Sequence, residues 1–386
     1  MGGMKLPEPD HDASVASDAL CRLIADDIAR HDGWIPFARY MELALYAPNL
    51  GYYAGGAAKL GREGDFTTSP EISPLFAAAL AQPVARLLAQ TAPQMIEFGA
   101  GSGKLARDLL TELALLGERV QRYAIVELSG ELRARQQETL RDFPQVEWLD
   151  RLPDAFSGIA LGNEVLDAMP VHLVKKTAAG WNEVGVATDD ARFTFAERPC
   201  DAALAARIAT QIPEAESLPD GYLTEIHPQA GAFTQTVATM LATGNAGAAL
   251  LIDYGFPARE YYLPERNRGT LMCHYRQHAH DDPFFLPGLQ DITAHVDFSA
   301  IAQAAIDGEL EVLAYLNQAA FLMASGIGEL LLRTRPDDAA RYLPQANAVK
   351  LLLSPAEMGE LFKVLIVGKN VRLPDALLRD DRSHRL

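Results

Sequence analysis

A glycine-rich loop between a predicted strand and a predicted helix leaves this chain few possible folds. An apolar run ending at Phe98 enters a loop with glycine at every second position, Gly99, Gly101 and Gly103. Residues 104–110 then carry apolar side chains at helical spacing. In parallel α/β sheets, this order brings backbone N–H groups and a helix N-terminus to a ligand at the carboxyl edge of the sheet. The loop therefore predicts an α/β protein with a doubly wound sheet and a ligand site at that edge.

Two common phosphate-binding loops do not match this sequence. The dinucleotide pattern G-x-G-x-x-G requires a third glycine where the chain has Lys104. The phosphate loop G-x-x-x-x-G-K-[ST] requires a glycine and a hydroxyl where the chain has Phe98 and Leu105. The remaining pattern, acidic-x-G-x-G-x-G, resembles the first motif of class I S-adenosylmethionine (SAM) methyltransferases. In that motif Glu97 would lie near the cationic amino-acid end of the ligand, although a glycine-rich turn can also occur without one.

A second apolar run ends in a carboxylate at the expected distance from the first. Residues 123–126 lead to Glu127, and a doubly wound fold places at this position the acid that accepts hydrogen bonds from ribose hydroxyls. Ser129 follows as the predicted N-cap of a polar helix. The alternative is that Glu127 is a solvated acid at the end of a strand. Together, the two strands predict half of a SAM-binding sheet.

Composition narrows the class of protein further. With 386 residues, 49% of them hydrophobic, the chain can bury a large core. It has no stretch of 18 apolar residues, no signal or transit peptide pattern and no paired cysteines, which favours a cytoplasmic protein without a membrane span. A formal charge of −17 opposes general binding to nucleic acid and suits a cationic substrate, although acidity also serves solubility alone.

The pattern along the chain predicts a sheet domain with insertions. We expect a mostly parallel sheet whose last strand, at 362–367, is antiparallel, and helices at 298–307 and 310–332. Residues 256–298 are rich in Pro, His and aromatics and are expected to form a lid without regular structure. The predicted segments are N-terminal helices and a cofactor-covering loop (1–73), a SAM-binding core (74–170 and 227–256), a β-rich insertion after the fourth strand (171–226), a lid and helical segment (257–345), C-terminal strands (346–370) and a tail (371–386).

Seven motifs make the chain resemble the MidA family of SAM-dependent methyltransferases, and the resemblance covers the chain from about residue 20 to 367. The motifs are GYY at 51–53, GDFTTSPE at 64–71, EFGAGSG at 97–103, NEVLDAMP at 163–170, IDYGF at 252–256, GTLMCHY at 269–275 and DITAHVDF at 291–298. The resemblance implies SAM as cofactor and a protein partner. It further implies methylation of an arginine in a respiratory complex I-type subunit, as in the mitochondrial members. This chain has no transit peptide pattern and in this respect resembles the bacterial members. The resemblance leaves the substrate of the bacterial members open. It also leaves open whether the chain forms a homodimer.

Carboxylates near the end of the fourth strand are the candidate catalytic groups. A guanidinium acceptor stays cationic, with a pKa above about 12, so carboxylates must hold it in line with the methyl group. Glu164 and Asp167 follow this strand, and their spacing puts both on one face if a helical turn begins there. Asp253 leaves the fifth strand at the same edge, and Asn163 is expected to contact SAM or the substrate. The alternatives are a local salt bridge for Glu164 and a turn cap for Asp167.

Two further groups of residues are candidates for the site. Phe66 and Thr67 lie in a polar loop that is expected to fold over the cofactor, unless it only orders the helix that follows. Four histidines at 274, 278, 280 and 295 invite a metal hypothesis, but their spacing does not favour one and no cysteine pair joins them. We therefore expect no metal. The predicted function is a SAM-dependent methyltransferase acting on protein arginine. The alternatives are a small-molecule methyltransferase and a non-catalytic SAM-binding assembly factor.

Overall fold

The computed structural model describes residues 6–55, 68–190 and 192–386, which form two compact units. The glycine-loop unit comprises the described residues of 67–166, 231–257 and 298–386. The insertion unit comprises the described residues of 1–66, 167–230 and 258–297. Of the predicted core segments, 74–170 and 227–256, residues 74–166 and 231–256 lie in the glycine-loop unit, which also contains everything after residue 297, whereas residues 167–170 and 227–230 lie in the insertion unit.

The described residues form α-helices and β-strands with the following bounds, and the two types alternate over residues 74–149 of the glycine-loop unit. The helices of the described chain are α1 (His11–Arg30), α2 (Phe37–Tyr46), α3 (Ser69–Ile72), α4 (Pro74–Leu88), α5 (Lys104–Leu115), α6 (Gly130–Thr139), α7 (Ala202–Gln211), α8 (Pro228–Thr243), α9 (Ala258–Tyr261), α10 (Phe298–Asp307), α11 (Gln318–Ala324), α12 (Ile327–Leu331), α13 (Ala339–Leu353) and α14 (Asp375–Leu378). The strands are β1 (Ile35–Pro36), β2 (Gln94–Phe98), β3 (Arg122–Val126), β4 (Val146–Leu149), β5 (Ile159–Asn163), β6 (His172–Thr177), β7 (Gly180–Asp189), β8 (Arg192–Pro199), β9 (Leu223–Ile226), β10 (Gly247–Phe256), β11 (Met272–Tyr275), β12 (His278–His280), β13 (Asp291–Thr293), β14 (Val296–Asp297), β15 (Glu311–Asn317) and β16 (Phe362–Lys369).

Seven strands of the glycine-loop unit form a central sheet in the order β15-β16-β10-β5-β2-β3-β4. β4, β3, β2, β5 and β10 are parallel, whereas β16 pairs with β10, and β15 with β16, in the antiparallel direction. β2 and β10 read as nearly continuous apolar runs because both faces of a parallel sheet are covered by helices. The predicted α/β sheet class, with an antiparallel final strand, is confirmed.

Helix α4 shows how the sequence builds the core beneath this sheet. Ser73 caps its first turn by accepting from the Leu75 N–H, and Pro74 occupies the first helical position, where a missing N–H costs nothing. Its fully buried side chains include Phe76, Leu80 and Leu87. They join one apolar cluster with side chains of β2, β5, β10 and α5. Burying each such side chain contributes about 1.5–3 kcal/mol, so the cluster fixes the strand ends that carry the site.

The insertion unit has its own sheet and core. Strands β1, β7, β6 and β9 pair antiparallel in that order, and β8 pairs with β7. Gly185 lets β1 approach β7, because a Cβ there would lie 2.3 Å from the Ile35 carbonyl oxygen. Leu20, Tyr40 and Val186 are fully buried in its apolar cluster. A three-stranded sheet in the order β12-β11-β13 completes the unit.

Two secondary-structure predictions were wrong. The helix expected over 310–332 is instead strand β15 followed by α11 and α12. Its first apolar run, VLAYL at 312–316, is too short to distinguish the periodicity of a helix from that of a buried strand. Pairing with β16 makes it a strand. The segment 256–298 is not irregular, since it contains α9 and the strands β11 to β14. These strands have two to four residues each, too few for an alternating pattern to show in sequence.

Candidate active site

The three glycines of the loop after β2 all adopt left-handed backbone conformations. The φ angles are +60° at Gly99, +53° at Gly101 and +80° at Gly103, a region that side chains other than glycine rarely tolerate. A Cβ on Gly99 would lie 3.3 Å from Cγ2 of Val165, and one on Gly103 would lie 3.3 Å from Cα of Gln136. The loop is thus a tight backbone turn, and Gly103 is the N-cap of α5.

Glu97, the last acid before the loop, is almost completely buried. Its side chain is 2% exposed, and Oε2 accepts a hydrogen bond of 2.7 Å from the Tyr123 hydroxyl. Burial raises the pKa of this carboxyl to about 7, the Tyr123 hydrogen bond opposes that rise, and the nearby charge of Glu127 adds to it. Glu97 therefore changes protonation near neutral pH and would favour a cation brought next to it.

Glu127 follows β3, and its carboxylate is held by two donors. Oε1 accepts from the Ser129 N–H at 2.9 Å, and Oε2 accepts from Nε2 of Gln136 at 2.8 Å. Ser129 also caps α6 by accepting from the Leu132 N–H, as predicted. Burial raises the pKa of Glu127, and these hydrogen bonds to the charged form oppose the rise.

The carboxyl end of β5 carries a carboxylate on a strained residue. Glu164 has φ +54°, and its N–H is held by the Ile252 carbonyl of the neighbouring β10 at 2.8 Å. Its Oε1 accepts from Nδ2 of Asn163 at 3.0 Å and lies 3.4 Å from the Ser69 backbone nitrogen. Holding a non-glycine residue in the left-handed conformation costs about 1–3 kcal/mol of strain, and such residues cluster at functional sites. The strain at Glu164 marks this strand end as a candidate site.

Asp253 is buried among backbone donors. It is 0% exposed, and its oxygens accept from the N–H groups of Val165 (3.1 Å), Leu166 (2.8 Å) and Tyr254 (2.9 Å). The carboxylate thus ties the chain after β5 to the end of β10. This geometry is that of a group that orders the backbone, and the catalytic role of Asp253 stays a prediction.

Asp167 and Glu164 do not share a helical face. No helix begins in residues 164–170, which form bends and turns, so the spacing argument for this pair was wrong. The physical reason is local: Glu164 is left-handed, and the next two N–H groups are bound by Asp253. Asp167 is 5% exposed and belongs to the insertion unit, where its carbonyl accepts from the Ala294 N–H at 3.0 Å.

Phe66 and Thr67 lie outside the described residues, but the chain that follows them reaches the site. Ser69 approaches Glu164, and Glu71 accepts a hydrogen bond from the Ser102 hydroxyl at 2.5 Å. The motif at 64–71 is therefore connected at its described end both to β5 and to the glycine loop. Across residues 6–55, 68–190 and 192–386, no group of three or more His, Cys, Asp and Glu side chains is arranged to hold a metal ion.

Two residues that the sequence argument did not select also belong to this edge of the sheet. Gln136 joins Glu127 to the Gly101 carbonyl, which accepts from its Nε2 at 3.0 Å. Leu128, next to Glu127, is 83% exposed. Leu128 directly follows Glu127, the predicted ribose acid, so its position could be read from the sequence. No sequence signal marks Gln136, because its partners come from other elements.

The residues of the glycine-loop unit fit an adenosyl amino acid such as SAM. Oδ1 of Asn163 is buried and has no hydrogen-bond partner among the described residues, so it is an acceptor that suits an ammonium group. Glu97 would add a carboxylate, the left-handed glycines would allow close backbone approach, and the exposed Leu128 would cover an apolar ring face.

Comparisons with known proteins agree with this geometry. Residues 75–316 match the model of a family described as S-adenosyl-L-methionine-dependent methyltransferases. The chain is 32% identical to the protein arginine methyltransferase NDUFAF7, mitochondrial, of Danio rerio, over 94% of this chain and 89% of the relative. It is 31% identical to the Bos taurus protein of the same name, over 88% of this chain and 81% of the relative.

A solved structure resembles this chain over almost its whole length. A crystal structure of a Burkholderia thailandensis protein bound to S-adenosyl-homocysteine (SAH) is 53% identical, with a TM-score of 0.93, and covers 99% of this chain and 100% of its own. In the described part of the chain, no helix combines the length and the apolar character needed to cross a membrane. The glycine loop, the family match and the SAH-bound relative lead to one conclusion: the chain belongs to the MidA family of SAM-dependent methyltransferases, and SAM is its cofactor.

Proposed function

We propose that this methyltransferase transfers the methyl group to an arginine side chain of a protein substrate. The observation that carries the proposal is the oriented carboxylate of Glu164 at the carboxyl end of β5, next to the glycine loop. Relatives that are named protein arginine methyltransferases, at about one third identity, support an arginine acceptor. The complex I-type subunit that the family resemblance implies stays a prediction.

The chemistry assigns Glu164 the task of holding a cation. Bound SAM supplies an electrophilic methyl group on a sulfonium, so the chain has little acid–base work to do and must mainly hold the acceptor in line. Asn163 and Ser69 both approach the same oxygen, Oε1, and this fixes the direction of the Glu164 carboxylate. A carboxylate fixed in this way would bind a guanidinium by charge-assisted hydrogen bonds and keep its charge away from the attacking nitrogen.

The remaining acids of the catalytic prediction receive different proposed roles. Because Asp253 accepts from the N–H groups of Val165 and Leu166, we assign it to positioning the chain next to Glu164. Asp167 is kept as a second carboxylate for the acceptor, on its place in the motif at 163–170.

For the cofactor, we propose two carboxylate contacts and a close backbone approach. Glu97 and the amide oxygen of Asn163 would receive the ammonium group of SAM, and Glu127 would accept from the ribose hydroxyls. Gly99, Gly101 and Gly103 would allow the backbone to approach the adenosyl group. Phe66 and Thr67 stay predicted covering residues.

The cellular setting is also part of the proposal. Cys21, Cys200 and Cys273 are all free thiols, which supports a reducing compartment such as the cytoplasm. Burial raises the pKa of the Cys273 thiol above its ordinary range, so it stays protonated. Homodimer formation stays a prediction.

Methyl transfer to an unidentified acceptor can be measured directly. Purified enzyme and methyl-labelled SAM are added to an extract of cells that lack the gene, and the labelled product is identified by mass spectrometry. We expect a labelled protein with mono- or dimethylated arginine. Label confined to small molecules would favour the small-molecule alternative. SAM binding without any labelled product would favour the non-catalytic assembly factor.

Glu164→Gln tests the assigned carboxylate. The substitution keeps the shape and removes the charge, so SAM affinity should stay within about twofold while methyl transfer falls by about 100-fold or more. Glu138→Gln is the matched control, because Glu138 is exposed and pairs with Arg141 on the surface. If SAM affinity falls together with activity, Glu164 is a cofactor ligand. If neither changes, the guanidinium assignment loses its main support.

A further inference from the structure

Helix α6 buries one polar side chain where a buried apolar residue would be usual. Of residues 130–139, all of which the structure describes, Gln136 is the buried one, with 0% exposure. Helices on the surface of an α/β protein normally turn apolar residues inward. A buried glutamine is tolerated only if its amide is fully hydrogen-bonded. Its partners therefore indicate why the helix carries it.

The amide of Gln136 joins two parts of the site. Its Nε2 donates to Oε2 of Glu127 at 2.8 Å and to the carbonyl of Gly101 at 3.0 Å. These two bonds use both hydrogens of the amide. Gly103 permits α6 to lie close to the glycine loop, because it has no side chain. A Cβ on Gly103 would lie 3.3 Å from Cα of Gln136. One side chain thus connects the glycine loop to the carboxylate at the end of β3.

Trp148 on β4 fixes the direction of this amide. Its indole Nε1 donates to Oε1 of Gln136 at 2.9 Å. An indole N–H can only donate, so the oxygen of the amide must face Trp148 and the nitrogen must face Glu127 and Gly101. In the reverse orientation, the amide N–H groups of Gln136 would face the indole N–H of Trp148, and its amide oxygen would face the carboxylate of Glu127. One orientation of the Gln136 amide therefore satisfies all the hydrogen bonds among Trp148, Gln136 and Glu127.

We propose that Gln136 is a positioning residue for SAM: it holds the Glu127 carboxylate facing the ribose hydroxyls and the Gly101 carbonyl away from them, with Trp148 setting its direction. The inference rests on the proposed ribose-binding role of Glu127. Ser129 holds the other oxygen of Glu127 through its backbone N–H. The two donors leave the carboxylate little freedom to rotate, which lowers the entropy lost when the ribose binds.

Binding of SAM and SAH by calorimetry tests this positioning role. Gln136→Met keeps the length of the side chain and removes the amide. Gln137→Met, at the exposed neighbouring position on α6, is the matched control. We expect SAH to bind about tenfold more weakly to Gln136→Met, from the loss of a hydrogen bond to a charged group, and within about twofold of wild type to Gln137→Met. Trp148→Phe keeps an aromatic side chain, removes the N–H donor and should give an intermediate loss of about threefold.

Two readouts separate positioning from a general loss of structure. The first is the 2′-deoxy analogue of SAH: its affinity deficit relative to SAH should shrink in Gln136→Met, because Glu127 no longer presents its oxygen correctly. The second is pH. Burial already raises the pKa of Glu127, and loss of the amide donor raises it further; the titratable group coupled to Glu127 is Glu97 on β2, to which Tyr123 donates. The affinity deficit of Gln136→Met should therefore grow as the pH falls.

The outcomes distinguish this inference from the assignment on which it rests. If Glu127→Ala leaves SAH affinity unchanged, the ribose-binding role of Glu127 is wrong. If Glu127→Ala weakens binding while Gln136→Met and Trp148→Phe bind like wild type, Glu127 is a ligand but Gln136 does not position it. A deficit in Gln136→Met that depends neither on pH nor on the 2′-hydroxyl would also overturn the proposal. Trp148→Phe keeps the test decisive if Gln136→Met does not fold.

Discussion

Two left-handed glycines, one in the cofactor loop and one outside it, allow the effect of backbone strain to be measured apart from the effect on ligand approach. Gly101 (φ +53°) lies in the cofactor loop, whereas Gly117 (φ +84°) ends α5 and has no atom within 4 Å of an added Cβ. Alanine at either position costs about 1–2 kcal/mol of backbone strain. We expect both Gly101→Ala and Gly117→Ala to lose similar stability in chemical denaturation, and only Gly101→Ala to lose SAM affinity, by tenfold or more in calorimetry. Equal affinities would remove this loop from the cofactor site.

The buried carboxyl of Glu97 makes stability depend on pH. Its pKa in the folded chain is about 7, above the ordinary glutamate value of 4.5. Between these values the folded chain keeps a proton that the unfolded chain has released, so stability falls as the pH rises from 4.5 to 7 and changes no further above 7. Glu97→Gln removes this dependence, so its stability relative to wild type should rise by up to about 3 kcal/mol across that window.

Chemical denaturation at several pH values measures this effect. Tyr123 donates to Glu97 and can donate equally to the amide oxygen of the variant, so packing is preserved. Part of the slope should remain in Glu97→Gln, because burial also raises the pKa of Glu127. Parallel stability curves for the two proteins between pH 4.5 and 7 would mean that Glu97 is ionised in the folded chain.

Site residues at strand ends could be predicted from sequence, and those that act across elements could not. Glu97 and Glu127 each follow or close an apolar run next to a local signal, the glycine loop for one and the Ser129 cap for the other. Gln136 is one of two adjacent glutamines on a polar helix, and only the fold shows which of them turns inward. The contacts of Asp253 with Val165 and Leu166 join residues almost 90 positions apart. Such contacts leave no periodic signal.

The carboxyl ends of β5 and β10 are held together by one side chain. Asp253 on β10 accepts from two N–H groups beyond β5, and the Glu164 N–H donates to the carbonyl of Ile252. In Asp253→Asn, one carboxylate oxygen is replaced by an NH2 group, which cannot accept, so at least one of the N–H groups of Val165, Leu166 and Tyr254 loses its partner. We expect a loss of about 2–4 kcal/mol in the free energy of unfolding, and slower methyl transfer because Glu164 shifts.

A matched surface change gives the baseline for that prediction. Asp142→Asn alters an exposed carboxylate that lies 4.0 Å from Arg141 and should change stability by less than about 0.5 kcal/mol. If Asp253→Asn were as stable as Asp142→Asn, the hydrogen bonds to Val165 and Leu166 would not hold the two strand ends.

Strands were recognised from sequence where burial on both faces gave a long apolar run, as in β10. β15 was mistaken for a helix because its apolar run is followed directly by the helices α11 and α12, so one pattern continues through both. β11 and β12 are four and three residues long, and they pair through a turn with left-handed Arg276 and Gln277. That turn contains no glycine, so the usual hairpin signal was missing.

Chain order and spatial grouping differ in this enzyme. Glu97, Glu127, Glu164 and Asp253 belong to the glycine-loop unit, which is assembled from three separated stretches of chain. The motifs at 51–53 and 269–275 and residues 291–297 of the motif at 291–298 lie in the insertion unit, where the Tyr53 hydroxyl donates to Asp291 at 3.0 Å. The cofactor assignments thus concentrate in one unit.

Hydrogen exchange with and without SAH tests this distribution. SAH at 100 times its Kd stabilises the folded chain by about 2.7 kcal/mol, and local openings at the contact residues are suppressed most directly. We expect strong added protection in peptides that cover 97–103, 127–136 and 163–166, and little in the strands at 172–199 of the insertion unit. Protection that spreads equally over both units would mean that they open together. Protection confined to the insertion unit would place the cofactor away from the glycine loop and contradict the assignments of Glu97 and Glu127.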